Sequence, residues 1–341
     1  MLKKLLILSL LPFMLCSCSK QENYEKITFS SWGSITETKI LENLISRFES
    51  ENPNIKVEFI HIPQNYFQKI HLLFVSSQEP DVLFINNLYL PVYANNLEDL
   101  TDEYDKTNFH TKSIEALSHN GKLLAIPRDV SNLVVYYNKY LTDGTISQDW
   151  TFKEYQELMQ KSLSRAKFAT SFEPDIYWGT PYVLTLGDFE KGIKYYKSLE
   201  GKLAPKPSDI GSQTLAQMFI NGDITFYLSG RWMYPKLNEQ VTFEWGILPF
   251  PGVTQADASG WAISKKSKNK LAAIKFVQFL SSKESVDYFT QTGLIVPARL
   301  DSMKNLEDSE AFIKAINNSI VVPYDKNYRH KADKLNKELF N

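Results

Sequence analysis

Cysteine is nearly missing from this chain: of 341 residues only Cys16 and Cys18 carry a thiol, and both lie in the first twenty positions. A disulfide framework is therefore excluded for everything downstream, even in a compartment that permits one. Histidine is almost as sparse. His61, His71, His110, His119 and His330 are scattered without ligand spacing, so no metal site is expected. There is no Gly-rich phosphate loop, no G-x-S-x-G and no H-E-x-x-H, so neither a cofactor nor an enzymatic activity is expected. Excess charge is lacking too: the net value is −1 and the pI about 6.6, which argues against a nucleic-acid partner. Arginine occurs only at 47, 128, 165, 231, 299 and 329. Long hydrophobic runs are absent after Leu15, and the one run before it, Leu5 to Leu15, is too short to span a bilayer.

That run has another reading. Lys3 and Lys4 precede it as a positive n-region, and it ends Leu15-Cys16-Ser17-Cys18. The ending resembles a bacterial lipobox with Leu15 at −3, Ser17 at −1 and the lipidated cysteine, Cys18, at +1. Cutting before Cys16 instead would put Leu15 where a small residue is needed. Residues 1–17 are thus read as a lipoprotein signal peptide and 18–26 as a polar tether. The expected product is exported and lipid-anchored to the cell membrane, facing the periplasm or the cell exterior.

The remainder has the composition of a globular protein, with 43% hydrophobic and 23% charged residues, and its length calls for two lobes with separate cores. Ile27 to Ser31 reads as a strand closed by Trp32-Gly33. Ser34 and Glu37 have capping-box spacing, and Ile40, Leu41, Leu44, Ile45 and Phe48 mark one helix face. Ile55, Val57 and Phe59 then alternate with charges in a second strand. This is a βαβ unit of a parallel sheet, whose ligands sit beyond the strands' carboxyl ends, where Trp32 and Ser34 fall. A helix from about Asn65 to Ser77 leads to the strand Val82 to Ile85 and the polar loop Asn86-Asn87.

The most informative stretch is Asn120 to Leu141. Asn120-Gly121 is a turn signal, Pro127 forbids helix, and Leu133 to Tyr137 reads as a buried strand. Arg128 and Asp129 stand between two apolar segments, where unpaired charge is costly. They either pair with each other or meet a polar ligand in a cleft. Tyr136-Tyr137 alternates in and out of a strand, which is preferred over a metal-binding tyrosine pair. With Gly121, Ile126-Pro127, Asp129 and Tyr136-Tyr137-Asn138-Lys139, the stretch resembles the first crossover strand of extracellular solute-binding proteins of sugar-importing ABC transporters, the maltose-binding-protein-like family 1.

The resemblance extends over about 26–300. Pro80-Asp81-Val82 and Leu97 to Leu100 match, although Ile85 stands where some members carry an aromatic residue. Phe219, Gly222, Gly230 and Trp232 match the segment whose tryptophan stacks on sugar, with Thr225-Phe226 replacing the usual Ala-Met. Glu244 to Gly252, Ser259 to Lys265 and Pro297-Ala298-Arg299 follow in order. Residues 301–341 match nothing in the pattern, and only Ala311 to Ile316 and Lys331 to Phe340 look helical. Thr151 and Glu154 have capping-box spacing for a further helix, while 167–187 lacks periodicity and reads as irregular around Pro174 and Pro181.

The resemblance implies an α/β, two-lobe periplasmic-binding-protein-like fold (type II) with three interlobe crossings. The first lobe would hold 19–128 and 261–297, the second 132–257 and 301–341. It implies capture of a mono- or oligosaccharide between the lobes by a monomer and delivery to ABC permease subunits, without turnover. Pyranose rings have an apolar C–H face and a polar rim, which aromatic faces and fixed polar groups match. Among six tryptophans, Trp150 and Trp245 are assigned to packing. Trp232, Trp178, Trp261 and Trp32 sit at strand ends, turns or irregular segments, and join Asp129, Arg128, Asn86, Asn87, Tyr177 and Arg231 as candidate ligand residues. Arg128 and Arg231 lie in the best site segments, so an acidic solute such as a sugar phosphate or uronide is the alternative ligand. A non-transport surface lipoprotein is the alternative class.

Overall fold

A computed structural model describes residues 24–306 and 308–340. The expected signal segment 1–17 and the expected lipid site Cys18 lie outside the described residues. In the first sheet Glu25–Ser31 is flanked in parallel by the edge strand Ile55–His61 and by Val82–Asn86. Gln255–Ile263 runs antiparallel beside Val82–Asn86, and Ile126–Ser131 pairs with its other edge. The second sheet orders Trp245–Pro249, Val134–Asn138, Ile224–Ser229 and Phe168–Thr170. Both sheets are mixed.

Local chemistry explains the elements. Ser34 and Glu37 form the capping box, with Ser34 N donating to Glu37 Oε2 at 2.9 Å, and the helix Ile35–Glu51 buries the five apolar residues that its periodicity marks. Thr151 and Glu154 do the same for Phe152–Ser162. In Val134–Asn138, Val134 and Tyr136 enter one apolar cluster while Val135 and Tyr137 enter another, so this strand divides the second lobe into two half-cores. Both tyrosines are ordinary core residues.

The chain passes between sheets at 131–134, at 250–255 and near 297. At the third passage Val130 N donates to Val296 O and Ala298 N to Arg128 O, at 3.0 and 3.1 Å, so first and third crossings lie side by side. The strand of the first sheet begins at Gln255, ahead of the boundary expected at 257–261. Residues 301–341 are also not confined to the second lobe. Helix Glu310–Asn317 packs into the second lobe, but Ile320–Val321 pairs in parallel with Gln255–Ala256 of the first sheet. Residues 318–327 thus form a strap between the lobes, and Lys112 Nζ reinforces its start, donating to Ile316, Asn317 and Ser319 carbonyls at 2.6–2.8 Å at the C-terminus of that helix. Helix Tyr328–Phe340 then returns to the second lobe, where Phe340 meets Phe172 and Tyr196.

The segment expected to be irregular around Pro181 is a helix, Ile176–Leu186, capped by Asp175 and ended by Gly187 in the left-handed conformation. Pro181 removes the donor that the Tyr177 carbonyl would use. Gln255 Nε2 replaces it at 3.1 Å from Tyr177 O. A side chain far along the sequence thus makes the proline tolerable, which no local pattern announces.

Candidate functional site

A cavity of about 780 Å³ opens between the sheets, lined by residues of both lobes and of the crossing strands. Its floor is set by an irregularity. Asp129 opposes Ser259 and Pro127 opposes Gly260, so Arg128 is an additional residue and the strand bulges there. A bulge re-aims side chains that would otherwise alternate. Gly260 is obligatory at this point, because a Cβ would lie 2.1 Å from the Ile126 carbonyl oxygen.

Arg128 and Asp129 consequently meet: Arg128 Nε donates to Asp129 Oδ2 at 2.7 Å, and Ser259 Oγ donates to the same oxygen at 2.6 Å. Arg128 Nη1 lies 3.7 Å from Glu37 Oε1, and its guanidinium rests over Phe84, Phe289 and Trp261 at 4.9, 4.9 and 5.6 Å. The two readings of this pair are therefore not exclusive, for the residues pair with each other and both line the cleft. Arg231 also reaches the cavity wall, but its Nε donates to Gly293 O at 2.9 Å and its guanidinium stacks on Tyr234 and Phe312.

The aromatic candidates divide. Trp32 and Trp232 line the cleft from opposite lobes and stay 44% and 40% exposed. Trp32 leans on Phe84 with ring centroids 5.8 Å apart. The Trp232 indole lies against Gly230, where a Cβ would come within 2.0 Å of the ring. Gly230 has an extended backbone, so it is the ring's close approach and not φ that demands glycine. Tyr177 and Trp178 also line the cleft, edge to face at 5.6 Å. Trp150 and Trp245 pack in the second lobe, Trp150 donating to Pro249 O at 2.8 Å.

Trp261 is a correction. It is 1% exposed, edge-on to Phe29 and Phe84 at 5.3 and 6.0 Å, in the core of the first lobe. It shares a strand face with Asp257 and Ser259 by the two-residue period but lies further along the strand, beneath Phe84 and Arg128. Its glycine neighbour accommodates the bulge and does not mark a ligand turn. Asn86 lines the cleft, whereas Asn87 is buried behind it: Asn87 Nδ2 donates to Asp257 Oδ1 at 3.1 Å and Asn87 Oδ1 accepts from Ala258 N at 3.3 Å.

Besides the expected Asp129, three further carboxyls belong to this wall: Glu37 and Asp175, seen in the sequence only as helix-start residues, and Asp257. Asp257 had a legible signal, being the one charged residue within Gln255–Ile263. Burial raises its carboxyl above the ordinary range, opposed by hydrogen bonds from Asn87, Tyr177 and Tyr324 and reinforced by the nearby charge of Asp129. Arg329, on the last helix, also reaches the cleft and faces Asp333 at 3.5 Å. Nothing in its sequence surroundings marks it. Among the described residues there is no cluster of His, Cys, Asp and Glu able to hold a metal ion.

A wall of this kind suits a polyhydroxylated ligand: planar carboxylates accept hydroxyl hydrogens and exposed indoles cover apolar faces. The sequence model described as bacterial extracellular solute-binding protein matches residues 32–287. The maltodextrin-binding protein MdxE of Bacillus subtilis is 22% identical, over 90% of this chain and 82% of that protein. An ABC substrate-binding protein of Listeria monocytogenes in complex with cycloalternan superposes with a TM-score of 0.81 at 23% identity, covering 93% of this chain and 92% of that one. The GacH receptor of Streptomyces glaucescens, solved unliganded and with acarbose, gives 0.81 at 19% identity over the same shares. At these identities the likeness establishes the fold, which is the two-lobe α/β architecture with three crossings expected from the sequence.

Proposed function

Because this chain belongs to the bacterial extracellular solute-binding proteins, we propose that it captures a carbohydrate in the cleft and delivers it to the membrane subunits of an ABC importer. The carrying observation is that half-exposed Trp32 and Trp232 share one cavity with Glu37, Asp129 and Asp257. Apolar faces and fixed acceptors in one enclosure suit a pyranose, with its apolar C–H face and hydroxyl rim. Proteins of similar fold described with maltodextrin, cycloalternan and acarbose support an oligosaccharide over a single sugar. Lobe closure follows as a population shift, driven by contacts the ligand makes only when both walls touch it. No chemical step is assigned to the cleft. A thermal-shift screen of malto-oligosaccharides tests the reading, since a ligand at a hundred times its Kd stabilises the folded state by ~2.7 kcal/mol. No shift with any neutral oligosaccharide, and a shift with a non-sugar solute, would sink it.

The acidic-solute alternative is disfavoured by where the arginine forks already point. Arg128 is matched by Asp129 and Glu37, and Arg231 is occupied by Gly293 O and two aromatic faces. Affinity is accordingly expected to stay nearly flat as salt rises, because no net ligand charge is being screened. Calorimetry at low and high salt checks this; a steep loss with salt, together with collapse of binding in Arg128→Gln, establishes an anionic ligand instead.

We assign anchoring to Cys18. Cys18→Ser is expected to abolish lipid labelling and to release a folded protein from the membrane fraction, since no disulfide partner exists downstream. Fractionation with metabolic lipid labelling reads both, and unchanged labelling overturns the assignment. A non-transport surface lipoprotein would show the same anchoring but no sugar-dependent thermal shift.

A further inference from the structure

Tyr177 is held at each of its three polar atoms. Its N–H donates to Asp175 Oδ1 at 2.8 Å, in the helix cap. Its carbonyl, freed by Pro181, accepts from Gln255 Nε2 at 3.1 Å. Its hydroxyl donates to Asp257 Oδ2 at 2.8 Å. Gln255 and Asp257 face the same way on one strand, which belongs to the first sheet and directly follows the second crossing. Tyr177 belongs to the other lobe, where Trp178 stands edge-on to it.

Asp257 is in turn fixed from the first lobe. Asn87 Nδ2 donates to Oδ1 at 3.1 Å while Asn87 also brackets the Ala258 backbone, donating its N–H to Ala258 O at 3.1 Å. Tyr324, from the strap after Ile320–Val321, donates to Oδ1 at 3.4 Å. All three partners are neutral donors, and no cation contacts this carboxylate among the described residues.

We propose that Asp257 is a positioning residue which, with Gln255, fixes the Tyr177–Trp178 face of the cleft to the crossing strand and leaves the Tyr177 hydroxyl and the Asp257 carboxylate as acceptors only. This rests on the cleft being the ligand site. The chemistry follows from donor counting. The Tyr177 hydroxyl spends its single proton on Asp257, so toward the cleft it can only accept, and the carboxylate is itself acceptor-only. A ligand group that meets this pair must donate, as a sugar hydroxyl or an amine does. A carboxylate or phosphate finds no donor in the Tyr177–Asp257 pair and meets the like charge of Asp257.

The test separates positioning from sugar binding. Fluorotryptophan is incorporated into the full mature chain, and the Trp178 fluorine resonance is assigned with Trp178→Phe. Without ligand, Asp257→Asn and Tyr177→Phe are each expected to shift that resonance, and the double variant to shift it no further, as for residues acting through one bond. In the wild type the resonance should titrate with a midpoint above the ordinary carboxylate range. That transition should vanish in Asp257→Asn, although Asp129, Tyr324, Tyr328, Arg128 and Arg329 remain around the site. A resonance unmoved by either substitution, or a pH transition surviving in Asp257→Asn, overturns the proposal whether or not any sugar binds. In the second arm, maltotriose is the probe: Asp257→Asn should weaken its Kd by about tenfold, or ~1.4 kcal/mol. A maltotriose with its terminal sugar oxidised to the uronic acid should bind wild type no better than that variant binds the neutral trisaccharide. Wild type preferring the oxidised form overturns the donor rule. Wild type that ignores both sugars counts against the carbohydrate reading, while the fluorine result alone then decides the positioning role.

Discussion

Replacing Trp232 with alanine is expected to weaken sugar binding by ~30- to 1,000-fold, corresponding to about 2–4 kcal/mol. Covering the indole with a pyranose face contributes ~1.5–3 kcal/mol by apolar burial. A stacking geometry resembling aromatic pairs adds roughly 0.5–1.5 kcal/mol. The ring is positioned for this. It is 40% exposed in the cleft and lies flat against Gly230, whose missing Cβ leaves room for it. Stability without ligand should change little, because a half-exposed side chain leaves no closed core cavity. Calorimetry with the sugar identified by thermal shift, plus melting of both apo proteins, reads the two quantities separately. A variant that binds normally removes Trp232 from the site, and a variant that mainly loses stability returns it to the core.

Trp261→Ala should show the opposite pattern. Its ring is 1% exposed between Phe29, Phe84 and the Arg128 guanidinium, so truncation opens a cavity in the first lobe. The expected cost is ~3–5 kcal/mol, the usual range for a buried tryptophan cut to alanine. Affinity per folded molecule should fall by less than about tenfold, because the indole itself does not reach the cavity wall. Denaturant unfolding followed by binding at low denaturant measures both. A destabilisation under ~1 kcal/mol, within the range of ordinary surface changes, would mean that the ring is not core. The two tryptophans read alike in the sequence, Trp232 two residues after Gly230 and Trp261 directly after Gly260. Their expected phenotypes are nevertheless reversed.

What the sequence determined by itself is whatever a short window encodes. Ser34 with Glu37, and Thr151 with Glu154, fix helix starts because the capping partners are a turn apart. Ile40, Leu41, Leu44, Ile45 and Phe48 fix a buried face because helical period does. The ordered motifs from Trp32 to Arg299 carried the family and the two-lobe fold, and Trp32, Trp178 and Trp232 were legible as aromatics at the ends of elements. Tertiary structure decided everything that depends on which distant group supplies a missing partner. Pro181 reads as a helix breaker until Gln255, on the other lobe, satisfies the carbonyl it strands. Arg128 and Asp129 would point to opposite faces in a regular strand, and only the pairing register with Ser259 and Gly260 creates the bulge that joins them. Asp257 became a cleft residue because Asn87, Tyr177 and Tyr324 converge on it from three separate segments. Residues 301–341 resembled nothing in the sequence, yet Ile320–Val321 completes the first sheet and Arg329 reaches the cleft. Periodicity records which face of an element is apolar, but whether a polar group on it is satisfied is a property of the partner, and the partner is fixed only when the chain has folded.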